Sequence, residues 1–415
     1  MRGTVMTVIM MFSLLVAPAA RADRPKKPRP KPAPAAEAAT VTLNSSVLLF
    51  HEWDYQRCPG QVAEALALGN KKINFVPTAY YVTRPDYSVE RYCYRTTREP
   101  CAKTTPAQLF RLAQYLHQCF KKAVEGGADL SILPHLDWGG GTGVWRNYVV
   151  FDPLEKLADG YSYRDILLEP LLKAAMSAAG PETKIEFAFQ GEMGATVFAH
   201  PASYIQLLEW IRAEAGGRSV KAGISLNFNK VDGNIKLTPE TKAELQDLID
   251  KNDFVGISAY AGVNNPPKST DFNGSVESLA HHLRVAGIKL PLKKELHFSE
   301  IGLGGGPNGN DGMTPATQAW QAACCPWAGI RAAYTPERDP WQKPQLRKLR
   351  VAFHRALLTF LKTQPARWPV TSAYLWNAGS WDPQGLYGEG HYADPEIVEM
   401  IRTYNTTGRV PRPPK

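Results

Sequence analysis

Several signatures that would declare a chemistry outright are missing from this sequence. There is no phosphate-binding glycine loop, no dinucleotide fingerprint and no nucleophile-elbow serine, which excludes the common nucleotide-dependent and serine-hydrolase plans. The six cysteines include no CxxC and the nine histidines no HxxxH. The usual zinc spacings are therefore absent, and no metal or other cofactor is expected. The Gly304–Gly312 run has the turn chemistry of a calcium loop but too few acidic ligands. No internal repeat appears, and beyond the amino-terminal segment no stretch is long and apolar enough to span a bilayer. Positive charge is scarce where a nucleic-acid surface would need it. The formal net charge is +9, but residues 2–37 contribute +5 and Arg409, Arg412 and Lys415 another +3, leaving about +1 for everything between.

What is present begins with an export signal. Arg2, the apolar run 5–16, Pro18 and the small-residue pattern Ala20-Arg21-Ala22 predict a signal peptide over 1–22, cleaved near Ala22, and a secreted or periplasmic product. Residues 23–40, rich in proline, lysine and alanine, have nothing to bury and read as a disordered basic linker. Residues 41–405 then form one domain, and 406–415 a short basic tail. An even number of cysteines suits an oxidising compartment. Cys93 and Cys101 flank a short polar loop and are the first candidates for a disulfide. Cys58 and Cys119 offer a second, and the adjacent Cys324 and Cys325 either bridge each other or pair elsewhere. The sequons at Asn44, Asn273 and Asn405 are candidate glycan acceptors in a eukaryotic source.

Between these ends, short apolar runs alternate with amphipathic helical stretches. Strands are predicted at 47–50, 73–76, 130–133, 185–189, 222–226, 254–257, 296–299 and 372–375. Helices fall between them, among them one from Thr105-Pro106 to Gly126-Gly127, one over 201–215, one beginning after Thr238 and one over 345–361. The first helix is expected only at 61–68, after Pro59-Gly60. Eight strands alternating with helices predict an α/β fold, a single-domain (β/α)8 TIM barrel with long loops after its strands.

A barrel gathers the carboxyl ends of its strands into one pocket. Here those ends supply Trp53, His135, Asp137, Trp138, Glu192, Asn227, Tyr260, Glu300 and Trp376, and the glycine-rich loop after Trp138 adds Trp145 and Arg146. Two glutamates, hydrogen-bonding imidazole and amide groups, and several indoles suit a sugar ring, which has a polar rim and an apolar C–H face. Retaining glycosidases use two carboxyl groups about 5–5.5 Å apart, which opposite sides of a barrel mouth can deliver.

On these residues the sequence resembles the clan A glycoside hydrolases. The segments PHLDWGGGTGVWRN (134–147), FQGEMG (189–194), DFVGISAY (253–260) and FSEIG (298–302) are most similar to glycoside hydrolase family 113, the β-mannanases. The resemblance implies retaining endo-hydrolysis of β-1,4-mannosidic bonds without a metal. Glu192 would be the general acid/base, Glu300 the nucleophile, Tyr260 the group orienting Glu300, and Trp376 the floor of the sugar site. Many clan members place Asn directly before the acid/base to bind the 2-hydroxyl. This chain has Gly191 there, with Gln190 before it and Asn227 as another donor. The partners implied are a polysaccharide or oligosaccharide and no nucleic acid, and the chain is expected to be a monomer. Other readings keep the chemistry on a β-glucan, a β-galactan or, by exo action, an oligosaccharide, or leave a non-catalytic barrel that binds cell-wall glycan.

Overall fold

In the computed structural model of the protein the described residues are 41–307, 314–330, 334–378, 383–386 and 390–412. The expected signal peptide, the basic linker and residues 308–313 of the glycine-rich loop lie outside them.

Eleven strands occur among the described residues: β1 Leu43–Leu49, β2 Lys72–Thr83, β3 Val89–Tyr94, β4 Ala102–Lys103, β5 Asp129–Ile132, β6 His135–Gly141, β7 Ile185–Gly191, β8 Val220–Asn227, β9 Phe254–Ser258, β10 Glu295–Ile301 and β11 Val370–Ala378. Eight of them (β1, β2, β5, β7, β8, β9, β10 and β11) pair in parallel, and β1 pairs with both β2 and β11, so the sheet closes on itself. This is the expected (β/α)8 barrel, and each predicted strand lies within or beside one of these eight.

The α-helices among the described residues are α1 Glu52–Ala67, α2 Pro106–Glu125, α3 Glu169–Ala178, α4 Gly194–Ala199, α5 Pro201–Ala215, α6 Pro239–Lys251, α7 Asn273–Val285, α8 Ala319–Cys324, α9 Pro344–Thr363 and α10 Pro395–Thr407. Their starts follow capping chemistry. Thr105 accepts the Gln108 N–H ahead of Pro106, and Thr238 accepts the Thr241 N–H ahead of Pro239. The first helix departs from expectation. It starts at Glu52 and carries Pro59 inside it, because the buried Asp54 carboxylate accepts the backbone N–H of both Phe50 and His51 and turns the chain straight from strand into helix.

Strand alternation separates two environments. In β7, Ile185, Phe187 and Phe189 join the large core under the helices, whereas Ala188 joins Leu48, Val76, Leu133 and Phe254 inside the barrel. Phe50 and Trp376 pack on that inner cluster. Nearer the amino ends of the strands the interior is polar. There Glu186 accepts hydrogen bonds from Ser372 at 3.0 Å and Tyr374 at 2.7 Å and pairs with Lys72.

Two excursions depart from the plain barrel. β2 runs on past the barrel, pairs with β3 in a hairpin and takes β6 alongside in parallel. The glycine-rich stretch expected to be a loop after Trp138 is therefore strand as far as Gly141. The structure joins Cys93 to Cys101 in this hairpin, Cys58 of α1 to Cys119 of α2, and Cys324 to Cys325. At the other end of the barrel, α10 is tied to the first strand. Tyr404 donates to the Val41 carbonyl, and Asn405 donates to the Leu43 and Leu68 carbonyls while accepting the Leu43 N–H. Asn405 and Asn44 are buried in such contacts, so neither sequon presents an amide for a glycan.

Candidate active site

Plain alternation would send Glu300 to the wrong side. It shares parity with Leu296 and Phe298, and Phe298 packs on Phe360 of α9. The pairing of β10 slips between Phe298 and Glu300 against β9, and between Phe298 and Ile301 against β11. This bulge turns the carboxylate into the mouth. There Tyr260 donates to Glu300 Oε2 at 3.2 Å. His135 Nε2 lies 3.1 Å from the other oxygen, though the ring is not aligned for a hydrogen bond.

β7 slips in the same way between Ala188 and Gly191, and Glu192 follows with φ +56°, a left-handed conformation unusual for a side chain that is not glycine. The turn is held by its neighbours. Gln190 accepts the Met193 N–H at 2.8 Å, and Glu192 donates its own N–H to the Ser225 carbonyl at 3.1 Å. Its carboxylate receives two donors, Asn227 Nδ2 on Oε1 and Arg146 Nη2 on Oε2, both at 2.8 Å. Asn227 is itself fixed, because its Oδ1 accepts the N–H groups of Asn229 and Lys230. Arg146 also donates to Asp137 at 2.7 Å and to the Gly191 carbonyl at 3.1 Å.

The departure at Gly191 has a steric cause. A Cβ at this position would collide with the His135 ring, so the residue before Glu192 has no room for a side chain. Gln190 is fully buried and is used to build the turn. Of Gln190 and Asn227, the one that donates to Glu192 is Asn227.

The remaining expected residues fall into two sets. His135 is fully buried under Trp376, with ring centroids 5.3 Å apart and planes 25° apart, so it supports the mouth and does not line it. Trp376 is half-buried above it. Trp138 and Trp145 are 49% and 38% exposed and stand on the excursion that carries Asp137 and Arg146. Trp53 lies in the first turn of α1, against His51 and Arg57. Sequence reading did not foresee Gln190 as a turn-former, or Arg146 as the tie between Asp137 and Glu192. The only trace of the latter was the acidic and basic groups spaced nine residues apart on one loop.

The electrostatics set the two glutamates in one coupled pocket. Burial pushes Glu300 up to about 7, against the pull of Arg146 and the Tyr260 hydroxyl. Burial first, and then the Glu300 charge, push Glu192 up, against Arg146, Asn227 and His135. His135 is held down to about 3 by burial and by Arg146, so it is neutral at ordinary pH. An ionised Glu300 therefore favours a proton on Glu192. Among the described residues no group of three or more His, Cys, Asp or Glu side chains is arranged to hold a metal ion.

No protein-family model matches the sequence, and no curated protein does. Two solved structures of GH113 β-1,4-mannanases, one of them a complex, do resemble it. They are 10% and 11% identical to it, with TM-scores of 0.51 and 0.50, and each comparison covers 89% of this chain and 99% of the other. The chain shares their fold. At that identity the likeness speaks for architecture, and the chemistry has to be argued from the mouth of this barrel.

Proposed function

We propose that the protein is a retaining β-glycoside hydrolase acting on a β-1,4-mannan. The observation that carries this reading is the pair of buried glutamates, Glu192 and Glu300, aimed into one barrel mouth by two bulges, with the charge of one raising the proton affinity of the other. Mannan is put first because the two solved structures of like fold are described as mannanases.

In the first step the Glu300 carboxylate attacks the anomeric carbon while Glu192 gives its proton to the departing oxygen, leaving a glycosyl ester on Glu300. In the second, Glu192, now a carboxylate, takes a proton from water, which displaces the ester with overall retention. Tyr260 orients Glu300. Asn227 stands beside Glu192, where a sugar hydroxyl or leaving oxygen would arrive. Both Glu192 oxygens accept donors in the resting site, so the leaving oxygen takes the place of one of them.

Residues 41–405 carry this activity as one exported, monomeric domain. Three disulfides support an oxidising destination. None of the described helices is long and apolar enough to cross a membrane. The test is the first-formed anomer from a β-1,4-manno-oligosaccharide, followed by proton NMR. The β anomer is expected, with Glu192→Gln and Glu300→Gln each about 10³-fold or more slower, on the order of 4 kcal/mol of lost transition-state stabilisation. Initial α product, or full activity in Glu300→Gln, refutes the mechanism.

A further inference from the structure

We infer that the rim formed by Trp320, the Cys324–Cys325 disulfide and Trp327 is a second sugar-stacking site, on which a neutral β-linked polysaccharide lies outside the catalytic mouth. The inference rests on the glycosidase reading for its occupant. Trp320 is 64% exposed and Trp327 42% exposed, two indoles left in solvent seven residues apart. Between residues 314 and 330 the chain has no Asp, Glu, Lys or Arg. That composition offers nothing to an acidic polymer or a nucleic acid, and offers indole faces to the C–H faces of uncharged sugars.

The rim is mounted directly on the strand ends that carry the site. Val263, three residues beyond Tyr260, donates its N–H to the Ala323 carbonyl at 2.8 Å. Gly304 and Gly306, just beyond Glu300, donate to the carbonyls of Pro326 and Ala328 at 2.9 Å, and Ile330 donates back to Gly304. Glycine is required for this closeness. A Cβ at Gly304 would strike the Ala328 carbonyl, and one at Gly262 would sit 2.8 Å from the Cys324 carbonyl. The glycine run after Glu300 thus lets a second backbone press against it. The disulfide between neighbouring residues further restricts the segment holding the two indoles, so less ordering remains to be lost on binding. The rim is thereby tied to the segments that follow Tyr260 and Glu300, within reach of a polymer chain held at the mouth.

The test uses the full chain, carrying Glu300→Gln to stop turnover, in native gels containing soluble galactomannan. Glu300→Gln alone should be retarded, and adding W320A and W327A should weaken retention about tenfold, with W320F and W327F keeping most of it. In the active enzyme, the same alanine pair should lower kcat/KM on the polymer about tenfold and leave it within twofold on a short aryl β-mannoside. Equal retention, or equal loss on long and short substrates, overturns the inference. So does self-association of the chain that the alanine pair abolishes while retention persists. If the rim variants alter retention but the wild type hydrolyses no glycan, the glycosidase reading fails and the rim stands.

Discussion

Arg146 is the most informative residue to replace, because it touches three parts of the site at once. In Arg146→Met the methylene packing is largely kept while the guanidinium is lost. Glu192 then loses a charge-assisted hydrogen bond of 2.8 Å. Such a bond on a buried carboxylate contributes about 1.5–3 kcal/mol, which at about 1.4 kcal/mol per pH unit raises the Glu192 pKa by roughly 1–2 units. Arg146 also lowers Glu300, but at longer range and without a hydrogen bond, so that group rises less. Asp137 is 27% exposed and stays hydrated when its partner is gone, which favours folding of the variant. In the proposed mechanism the free enzyme needs Glu192 protonated and Glu300 ionised. The alkaline limb of kcat/KM therefore belongs to Glu192 and the acid limb to Glu300. Rates on a soluble mannan from pH 4 to pH 10 should show the alkaline limb moved up by about 1–2 units and the acid limb by less, so that the bell shifts and widens. An alkaline limb that stays in place, or moves down, refutes the role assigned to Glu192.

Three other outcomes follow from the same contacts. Glu300 is raised in the folded state from 4.5 to about 7, so its folded form holds the proton more tightly, and the stability this gives is present below about 4.5 and lost as pH rises through about 7. Glu300→Gln removes that dependence. Its stability relative to wild type should grow by roughly 2–3 kcal/mol between pH 4.5 and pH 8 in chemical denaturation, and a constant difference argues against a raised Glu300. Gly191→Ala forces a methyl against the His135 ring and should cost about 1–3 kcal/mol, together with activity, since the ring also stands beside Glu300; an unperturbed variant would mean the space is not closed. Replacing both Cys58 and Cys119 by Ala frees a loop 61 residues long and should lower stability by about 4 kcal/mol in urea, against no change if α1 and α2 are held by packing alone.

The barrel was legible because its periodicities are strong. Runs such as IEFAF at β7 alternate cleanly, and helix starts such as Thr105-Pro106 and Thr238-Pro239 carry their own caps. What escaped was local geometry that periodicity cannot carry. The first helix reads as starting only at residue 61, yet α1 begins at Glu52, where the Asp54 carboxylate accepts the N–H groups of Phe50 and His51. The glycines after Trp138 read as a loop, but β2 continues beyond the barrel and pairs with Gly140 and Gly141. The two glutamates stood out by type and position, while strict alternation would have aimed Glu300 at α9. Only the slipped register of β10, which depends on both flanking strands, brings it to the mouth. The tie from Arg146 to Glu192 spans 46 residues and is visible only once the segment after β6 lies against the end of β7.

The clamp between α10 and β1 also fixes where the chain's charge resides. Tyr404 and Asn405 hold the last helix against Val41 and Leu43, at the pole of the barrel where the strands begin. Arg409 and Arg412 follow directly after α10 at that pole. Arg409 and Arg412 are thereby held at the pole opposite the glutamates, while the body of the domain is close to neutral. An anionic surface that captured Arg409 and Arg412 would hold the molecule by its base, with the cleft turned outward to the solution.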